Sequence, residues 1–321
     1  MFALSTSWNA DGRFTARGLL TAMAGIGLRE IELSYHCTAA EVREYDAGCR
    51  AMGIRVVSVH NFSPVPEAVP ARRARSEALL LSSPDEGERR SAVEATKRSI
   101  ATAASLGARV LIVHLGRVEM PSRTRELIRM YREGLKTTRR YRALSAQMVT
   151  QRASGARRFF DNAVRSLDDL CAEAADAGVV LAVENRFYHR EVPSCGELRE
   201  LLRRFDGGPV GYWHDIGHAQ VMENLGFCRH EEYLDAAGVA LRGFHIHDVL
   251  LCEDHLPPSC GMVDFSRFAG RMGRGALRVV ELAPTHSVAA VERGVRFMER
   301  VLDDGGAAQS AGKGEAYGAK A

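Results

Sequence analysis

The sequence lacks the features that mark a membrane protein or a secreted one. Its 321 residues contain no run of about 18 apolar residues, the length that a transmembrane helix needs. The N-terminal stretch MFALSTSW has no basic segment followed by a long apolar one, as a secretory signal peptide would have. We therefore expect neither a membrane span nor a signal peptide.

The sequence also has no closely spaced cysteine pair and only a small net charge. The seven cysteines are scattered, contain no CxxC pair and are odd in number, so we expect reduced thiols in a cytoplasmic protein rather than a disulfide framework. The formal net charge is only +3 with the histidines counted as neutral. So mild a charge does not favour a nucleic-acid partner by itself, although it does not exclude one.

What the chain does have is a repeating pattern that predicts a (β/α)8 TIM barrel. Hydrophobic residues make up 46% of the sequence, and its length is ordinary for one such barrel. Short apolar segments rich in β-branched residues alternate with helical patterns, as expected for parallel strands covered by helices. The eight predicted strands are residues 2–7, 29–34, 54–60, 108–116, 179–185, 209–215, 241–248 and 277–283. We expect them to form a single domain over residues 1–302.

Two segments depart from this alternation. Residues 117–160 are a long, basic and mostly helix-forming insertion between the fourth and fifth predicted strands. Two interpretations of it stay open: a solvated helical excursion that covers the barrel mouth, or a lid that contacts an anionic substrate. The tail over residues 303–321 is rich in Gly and Ala and is predicted to be disordered.

Titratable residues stand at the ends of most predicted strands. In a parallel barrel the C-terminal strand ends meet on one face, where catalytic groups gather. Each of these residues, taken singly, is explained by an ordinary hydrogen bond, but carboxylates in apolar strands are costly to bury unless paired or bound to a cation. The set therefore predicts a metal site, and its members are His60, His114, Glu184, Asp215, His218, His245, Glu253, His255 and Glu281.

Four members of this set are the strongest candidates for metal ligands. Glu184, Asp215, His245 and Glu281 lie on the last four predicted strands, which are neighbours in a barrel. Mixed histidine and carboxylate ligands suit zinc, manganese, cobalt or iron(II), and the sequence does not choose among these metals. The other five, namely His60, His114, His218, Glu253 and His255, are candidates for further metal or substrate contacts.

Three neighbours of the ligand candidates are candidates for the substrate pocket. Arg186 is a candidate clamp for a phosphate or carboxylate group of a substrate, and a salt bridge to Glu191 is the alternative. Trp213 and His214 are candidates for the pocket wall, although packing between strand and helix is the alternative for Trp213.

The motifs around these residues resemble those of the xylose isomerase-like TIM-barrel superfamily, which contains sugar isomerases and epimerases, inosose dehydratases and apurinic-site endonucleases. In chain order they are SVHNFSPVP, GARVLIVHLG, LAVENR, WHDIGHAQ, FHIHD followed by EDHLPPSCG, and VVELAP. The resemblance covers essentially the whole chain before the tail.

The resemblance implies roles for individual residues. Its single-metal site matches Glu184, Asp215, His245 and Glu281, and in the epimerases the two glutamates also act as acid and base. The endonucleases hold three zinc ions with a fuller set, which adds His60, His114, His218, Glu253 and His255. One position departs from that set, because this sequence has Glu253-Asp254-His255 where the endonucleases have Asp-x-His.

We therefore expect a divalent-metal-dependent isomerase or epimerase that acts on a sugar, sugar phosphate or polyol by an enediolate-type proton transfer. Glu184 and Glu281 are the expected catalytic residues, and Arg186 and His218 the expected substrate contacts. The alternatives are a multi-metal phosphoester hydrolase of the apurinic-site endonuclease type, a related dehydratase, and a non-catalytic sugar-binding or metal-storing barrel. The resemblance also allows a homo-oligomer.

Overall fold

Eight parallel strands close into a barrel, as the sequence predicts. The computed structural model describes residues 1–67, 69, 77–273 and 275–314, with side chains as far as residue 304. The barrel strands are β1 (Ala3–Ser5), β2 (Glu30–Leu33), β3 (Arg55–His60), β4 (Val110–Val113), β6 (Val180–Glu184), β8 (Val210–Asp215), β9 (Leu241–Ile246) and β12 (Leu277–Val280). Their order around the barrel is β1-β12-β9-β8-β6-β4-β3-β2. Each lies within one of the eight predicted segments.

Helices surround the barrel. They are α1 (Ala16–Gly25), α2 (Ala39–Met52), α3 (Glu86–Ser105), α4 (Thr124–Arg132), α5 (Arg139–Asp176), α6 (Cys195–Arg204), α7 (Ile216–Leu225), α8 (His230–Ala237) and α9 (Val288–Gly314). Among the described residues, no helix has the length and apolarity needed to cross a membrane. Two small antiparallel sheets, β5 (Gly116–Arg117) with β7 (Glu191–Val192) and β10 (Asp248–Leu250) with β11 (Glu253–Leu256), complete the fold.

Alternation along the strands separates the barrel interior from the layer under the helices. On β8, Tyr212 packs with the large outer core, whereas Trp213 belongs to a small interior cluster. That cluster consists of Ala3, Val110, Ile112, Ala182, Trp213 and Val279. Because side chains two residues apart share a face, the interior column that contains Trp213 continues to Asp215 at the strand end. The same rule extends the column of Ala182 to Glu184 and that of Val279 to Glu281.

Trp213 fills the barrel itself, not the space between strand and helix. Its ring packs at 5.1 Å, edge to face, against the imidazole of His245. The side chain of His214, the next residue, points away from the barrel interior and forms hydrogen bonds with Tyr212 and His230 in the outer layer. The expectation that His214 lines the pocket is therefore wrong, because strand alternation turns its side chain outward.

The long segment between β4 and β6 contains α4 and the whole of α5. Helix α5 has 38 residues and does not stop at residue 160, the predicted end of the insertion. Phe159, Phe160, Ala163 and Leu167 are buried along one continuous helix face, so the apolar pattern carries the helix through that boundary. The same helix therefore serves both the insertion and the layer around the barrel.

The last helix extends into the segment predicted to be disordered. Helix α9 continues past Asp303 to Gly314, and residues 315–321 lie outside the described residues. The alanines after Asp304 favour the helical state even without core-forming side chains, because alanine has the highest intrinsic helix propensity. The composition that suggests disorder thus does not end the helix at residue 303.

A disulfide joins two of the seven cysteines, so the expectation of reduced thiols throughout is wrong. Cys195, the first residue of α6, is bonded to Cys228, which lies between α7 and α8. The two are 33 residues apart in the sequence, and their Cα atoms are 6.9 Å apart. The packing of α6 against α8 brings them together, which no local spacing reveals. The unbonded cysteines are Cys37, Cys49, Cys171, Cys252 and Cys260.

The packing of Trp213 predicts that Gly243 cannot be enlarged. A Cβ atom at Gly243 on the neighbouring strand β9 would lie 2.3 Å from Trp213 Cζ3 and 2.9 Å from the carbonyl oxygen of Leu277. We expect Gly243→Ala to lower the free energy of unfolding by about 1–3 kcal/mol, since the buried ring cannot move aside without strain. Chemical denaturation measures the change. Gly25→Ala is the matched control, because Gly25 is exposed on α1 and a Cβ atom there would meet no atom of a neighbouring element within 4 Å. Equal stability of Gly243→Ala and wild type would contradict the interior packing.

Candidate functional site

The C-terminal mouth of the barrel holds a polar cavity of about 370 Å³. It is lined by Tyr35, His60, His114, Arg125, Glu184, Arg186, Phe187, Tyr188, His218, Asp254, His255 and Glu281. A larger cavity of about 930 Å³ includes the N-terminal residues of several strands and is lined by no histidine. The side chains able to bind a metal thus gather at the face where barrel enzymes place their active sites.

The four predicted metal ligands come together at the centre of this mouth. The ligand atoms of Glu184, Asp215, His245 and Glu281 all lie within 4.8 Å of one another, and all four residues are buried. His245 Nδ1 is 2.8 Å from Glu184 Oε1, 3.1 Å from Glu281 Oε2 and 3.7 Å from Asp215 Oδ2. The three carboxylates therefore surround a single imidazole nitrogen.

The charges of this group fit a divalent cation. Burial opposes ionisation, but His114 and His245 lower the pKa of Glu184 below its usual range, and His218 and His247 do the same to the pKa of Asp215. Three ionised carboxylates facing one buried imidazole are an unfavourable arrangement without a further positive charge. Three oxygen donors and one imidazole nitrogen are a ligand set that zinc, manganese, cobalt and iron(II) accept.

A carboxylate behind His245 orients that ligand. His245 Nε2 lies 3.1 Å from Glu32 Oε1 on β2, and Ser58 Oγ donates a 2.7 Å hydrogen bond to the other oxygen of Glu32. An imidazole whose second nitrogen donates to a carboxylate is held in one tautomer and orientation, with its first nitrogen free to bind metal. The sequence pattern assigns no role to Glu32. The one sequence feature that could have drawn attention to it is the presence of a glutamate inside an apolar strand.

The motif WHDIGH positions Asp215 by its place at a strand-to-helix junction. Asp215 Oδ1 accepts the backbone N–H of His218 at 2.6 Å and thereby caps α7, while Oδ2 faces His245 and His247. Gly217 leaves the space that the His247 ring occupies, because a Cβ there would lie 2.0 Å from His247 Cε1. The aspartate is thus fixed by the helix that it starts.

Both ring nitrogens of His247 are engaged within the protein. Its Nδ1 accepts the backbone N–H of His255 at 2.9 Å, so Nε2 carries the proton. Nε2 then donates to Asp215, at 3.0 Å from Oδ1 and 3.1 Å from Oδ2. His247 therefore holds a metal-ligand candidate in place and has no free nitrogen of its own.

Asn185, the residue after Glu184, ties the ends of β6 and β8 together. Its Oδ1 accepts hydrogen bonds of 2.8 Å from the Asp215 backbone N–H and from the Tyr212 hydroxyl, and its Nδ2 donates to the Asp215 carbonyl oxygen at 2.9 Å. The motif LAVENR therefore supplies a ligand candidate, Glu184, and the amide that fixes a second one, Asp215.

Arg186 is enclosed by carboxylates of the protein itself. It is buried, and its guanidinium lies 3.3 Å from Glu184 Oε2, 3.5 Å from Glu191 Oε1 and 3.7 Å from Glu77 Oε1. Burial alone would lower the pKa of Arg186, but Glu191 and Glu184 raise it above its usual value. Burial raises the pKa of Glu191 to about 8. The pKa values of Glu77 and Glu184 are lowered, so these two are the ionised partners of Arg186. These internal partners fit the salt-bridge interpretation of Arg186 and leave little of it for a substrate anion.

His60 and His114 form a second group with Glu184. His60 Nε2 lies 3.6 Å from Glu184 Oε2, and His114 Nε2 contacts both that oxygen and the Arg186 guanidinium. Burial and Arg186 lower the pKa of His114 to about 3, which keeps its imidazole neutral at physiological pH. A guanidinium thus stands beside the position that a cation held by this group would take.

A third group lies on the hairpin β10–β11 and includes Asp254 but not Glu253. His218 Nε2 is 3.8 Å and His255 Nδ1 is 3.2 Å from Asp254 Oδ2. The Glu253 side chain is 67% exposed and faces Arg132 at 3.9 Å, outside the cavity. The prediction that Glu253 contributes to the site is thus not supported, because residues alternate in direction along β11 and Asp254 takes the inward position.

Buried Asp248 and an unusual backbone shape that hairpin. The Asp248 carboxylate accepts the backbone N–H groups of Val249, Gly261 and Val263 at 2.8, 2.8 and 3.0 Å. His255 has a φ of 57°, a conformation that non-glycine residues rarely adopt. Its ring stacks on that of His247 at 4.2 Å between centroids. The hairpin therefore holds His255 at the cavity through fixed backbone geometry.

Comparison with known proteins agrees with the barrel fold. The family model of the xylose isomerase-like TIM barrel matches residues 20–301. No curated protein sequence matches the chain.

Solved structures show the same fold. A D-tagatose 3-epimerase-like protein is 17% identical and matches with a TM-score of 0.65, covering 95% of this chain and 98% of its own. L-ribulose 3-epimerase is 15% identical, with a TM-score of 0.68 and coverage of 100% and 99%. D-psicose 3-epimerase from Clostridium cellulolyticum H10 is 14% identical, with a TM-score of 0.64 and coverage of 94% and 99%. The closed eight-stranded barrel and the match of the family model over most of the chain lead to one conclusion: this protein belongs to the xylose isomerase-like TIM barrel family.

Proposed function

We propose that the protein is a divalent-metal-dependent isomerase or epimerase of a sugar, sugar phosphate or polyol. The observation that carries this proposal is the pair of buried carboxylates, Glu184 and Glu281, which line one small polar cavity and face the same nitrogen of His245. The sugar epimerases among the solved structures with this fold support the substrate class.

The proposed metal ligands are Glu184, Asp215, His245 and Glu281. A divalent cation bound there would polarise the oxygens of a carbonyl group and of a hydroxyl group on the neighbouring carbon, and so acidify the C–H bond of that hydroxyl-bearing carbon. Glu32 and His247 serve this set by fixing the orientations of His245 and Asp215. All the ligands lie at strand ends, so the barrel holds them rigidly before the substrate arrives.

The proton transfer falls to the two glutamates. One of them removes the proton from the carbon next to the carbonyl group, and the other side chain protonates either the same carbon from its other face or the neighbouring carbon. His114 and His245 beside Glu184 keep that carboxylate ionised, which is the form a base requires. The second glutamate must begin with a proton, and His255 Nε2, 3.8 Å from Glu281 Oε2, would stabilise the carboxylate that remains after Glu281 has donated it.

A multi-metal phosphoester hydrolase is the second candidate, because the mouth holds further groups able to bind metal. His60, His114 and Glu184 form one, and His218, His247 and His255 another, each with ligand atoms within 4.8 Å of one another. Two contacts favour the isomerase. Arg186 places a positive charge in the first of these groups, and His247 in the second uses both ring nitrogens within the protein.

Removing the carboxylate behind His245 tests the metal site. We expect Glu32→Gln to weaken metal affinity by about 10–100-fold, because His245 loses the partner that fixes its tautomer. Isothermal titration of metal-depleted protein with Zn²⁺ or Mn²⁺ measures the change. Glu30→Gln on the same strand is the control, since Glu30 pairs with Arg55 away from the site. Unchanged affinity of Glu32→Gln would remove His245 from the ligand set.

Exchange of substrate protons with solvent tests the reaction. In D₂O we expect the metal-loaded protein to incorporate deuterium next to the carbonyl carbon of a ketose that it accepts, measured by NMR on a panel of ketoses and their phosphates. Glu184→Gln and Glu281→Gln should each lower that rate about 10²–10⁴-fold, because each removes an acid–base group. Glu173→Gln, at an exposed position of α5 that does not line the cavity, is the control. Full exchange in both glutamine variants would contradict the proposed roles.

The number of bound metal ions separates the two candidate functions. We expect about one tightly bound ion per chain by elemental analysis after desalting, since the group of Glu184, Asp215, His245 and Glu281 offers three carboxylates and one imidazole nitrogen to a single ion. Close to three ions, together with cleavage of an oligonucleotide that contains an abasic site, would favour the hydrolase instead. The same preparation should be used for both measurements, so that metal content and activity refer to one sample.

A further inference from the structure

A second cavity lies beside the one that holds the ligand candidates. It measures about 340 Å³, nearly the size of the first. Arg125, Phe187 and Asp254 line both cavities, so the two spaces adjoin along a common wall. A ligand with its reacting end among the metal-ligand candidates can therefore extend into this second space.

The second cavity combines apolar walls with three arginines of α4. Its apolar lining comes from Ile128, Phe187 and Cys252. Arg125, Arg129 and Arg132 follow at positions i, i+4 and i+7, which places all three guanidinium groups on one helix face.

The three arginines outnumber the carboxylates at this cavity, which are those of Glu253 and Asp254. Arg125 donates to the hydroxyl of Tyr188 at 2.9 and 3.1 Å, and Arg132 donates to the carbonyl oxygen of Leu251 at 2.9 Å. Among the described residues, Glu253, 3.9 Å from Arg132, is the only carboxylate that forms an ion pair with one of the three. Within the same part of the chain, the Arg129 guanidinium makes neither a hydrogen bond nor an ion pair. By contrast, nearby Arg123 is paired with Glu126.

Arginines with unused donors on a cavity wall are suited to a phosphate or carboxylate group. We infer that the second cavity binds an oxyanion at the far end of the substrate, and that Arg125 and Arg129 hold it. This inference rests on the proposed function, because it takes the other end of the same molecule to lie among the metal-ligand candidates. It moves the anion contact from Arg186, which the protein's own glutamates surround, to α4.

Three ligands that share one carbon skeleton test the inference. They are D-fructose, D-fructose 6-phosphate and D-fructuronate, which carry a hydroxyl, a phosphate and a carboxylate at the same end. Binding is measured by isothermal titration to the metal-loaded wild-type protein, with each ligand first equilibrated with a trace of the protein so that net turnover adds no heat. We expect one or both anionic ligands to bind at least tenfold more tightly than D-fructose, since hydrogen bonds between charged groups are stronger than those of a neutral hydroxyl. The phosphate and carboxylate arms show which oxyanion fits.

Substitution of Arg129 assigns the effect to α4. In the same titration we expect Arg129→Gln to lower the preference for the anionic ligand over D-fructose about tenfold. Arg140→Gln removes the same charge from an exposed position on α5 that lines neither cavity, and should keep that preference. Equal binding of the three ligands, a preference unaffected by Arg129→Gln, or no detectable binding of either anionic ligand overturns the inference.

The outcome is separable from that of the proposed function. If wild-type protein exchanges the proton of D-fructose but shows no preference for an anion, only the inference on the second cavity fails. If the preference depends on Arg129 but no ketose exchanges its proton, the anion site stands and the proposed reaction fails.

Discussion

The site depends on one electrostatic constraint: three carboxylates and one imidazole are buried with their ligand atoms within 4.8 Å of one another. Such a group is stable only where positive charge and hydrogen bonds compensate the loss of water. The surrounding residues supply the hydrogen bonds. Glu32 holds the far side of His245, and the start of α7 and the imidazole of His247 hold Asp215. What remains uncompensated at the centre is negative charge, which the proposed divalent cation would neutralise.

The barrel makes this group out of simple alternation. The small interior cluster below the mouth is apolar, and Trp213 fills much of the space there. Unpaired polar groups would be unfavourable among these side chains, so the ligand candidates stand in the last interior layer above them. Glu184, Asp215 and Glu281 are the residues that the alternation brings to that layer. The arrangement explains why the ligands are far apart in sequence and adjacent in space, and why a glycine at 243 is required beside the tryptophan.

The loops decide what else the mouth can do. The hairpin β10–β11 is fixed by the three hydrogen bonds to Asp248 and brings Asp254 and His255 to the cavity. Helix α4 adds a basic face beside it. The insertion between β4 and β6 thus contributes to a cavity wall, which is the link between the basic composition of residues 117–160 and the proposed binding of an anionic substrate.

The sequence by itself determined the eight strands, their parallel arrangement and the four central ligand candidates, because apolar runs and the polar residues that end them are local features. It could not determine partners that lie far apart along the chain. Only the tertiary structure decided that Cys195 pairs with Cys228, that Arg186 is enclosed by glutamates, that Glu32 supports His245, and that Asp254 rather than Glu253 reaches the cavity. The physical reason is the same in each case. A side chain's contacts depend on which element packs opposite it and on the direction in which the backbone points it. The residues next to it in the sequence determine neither.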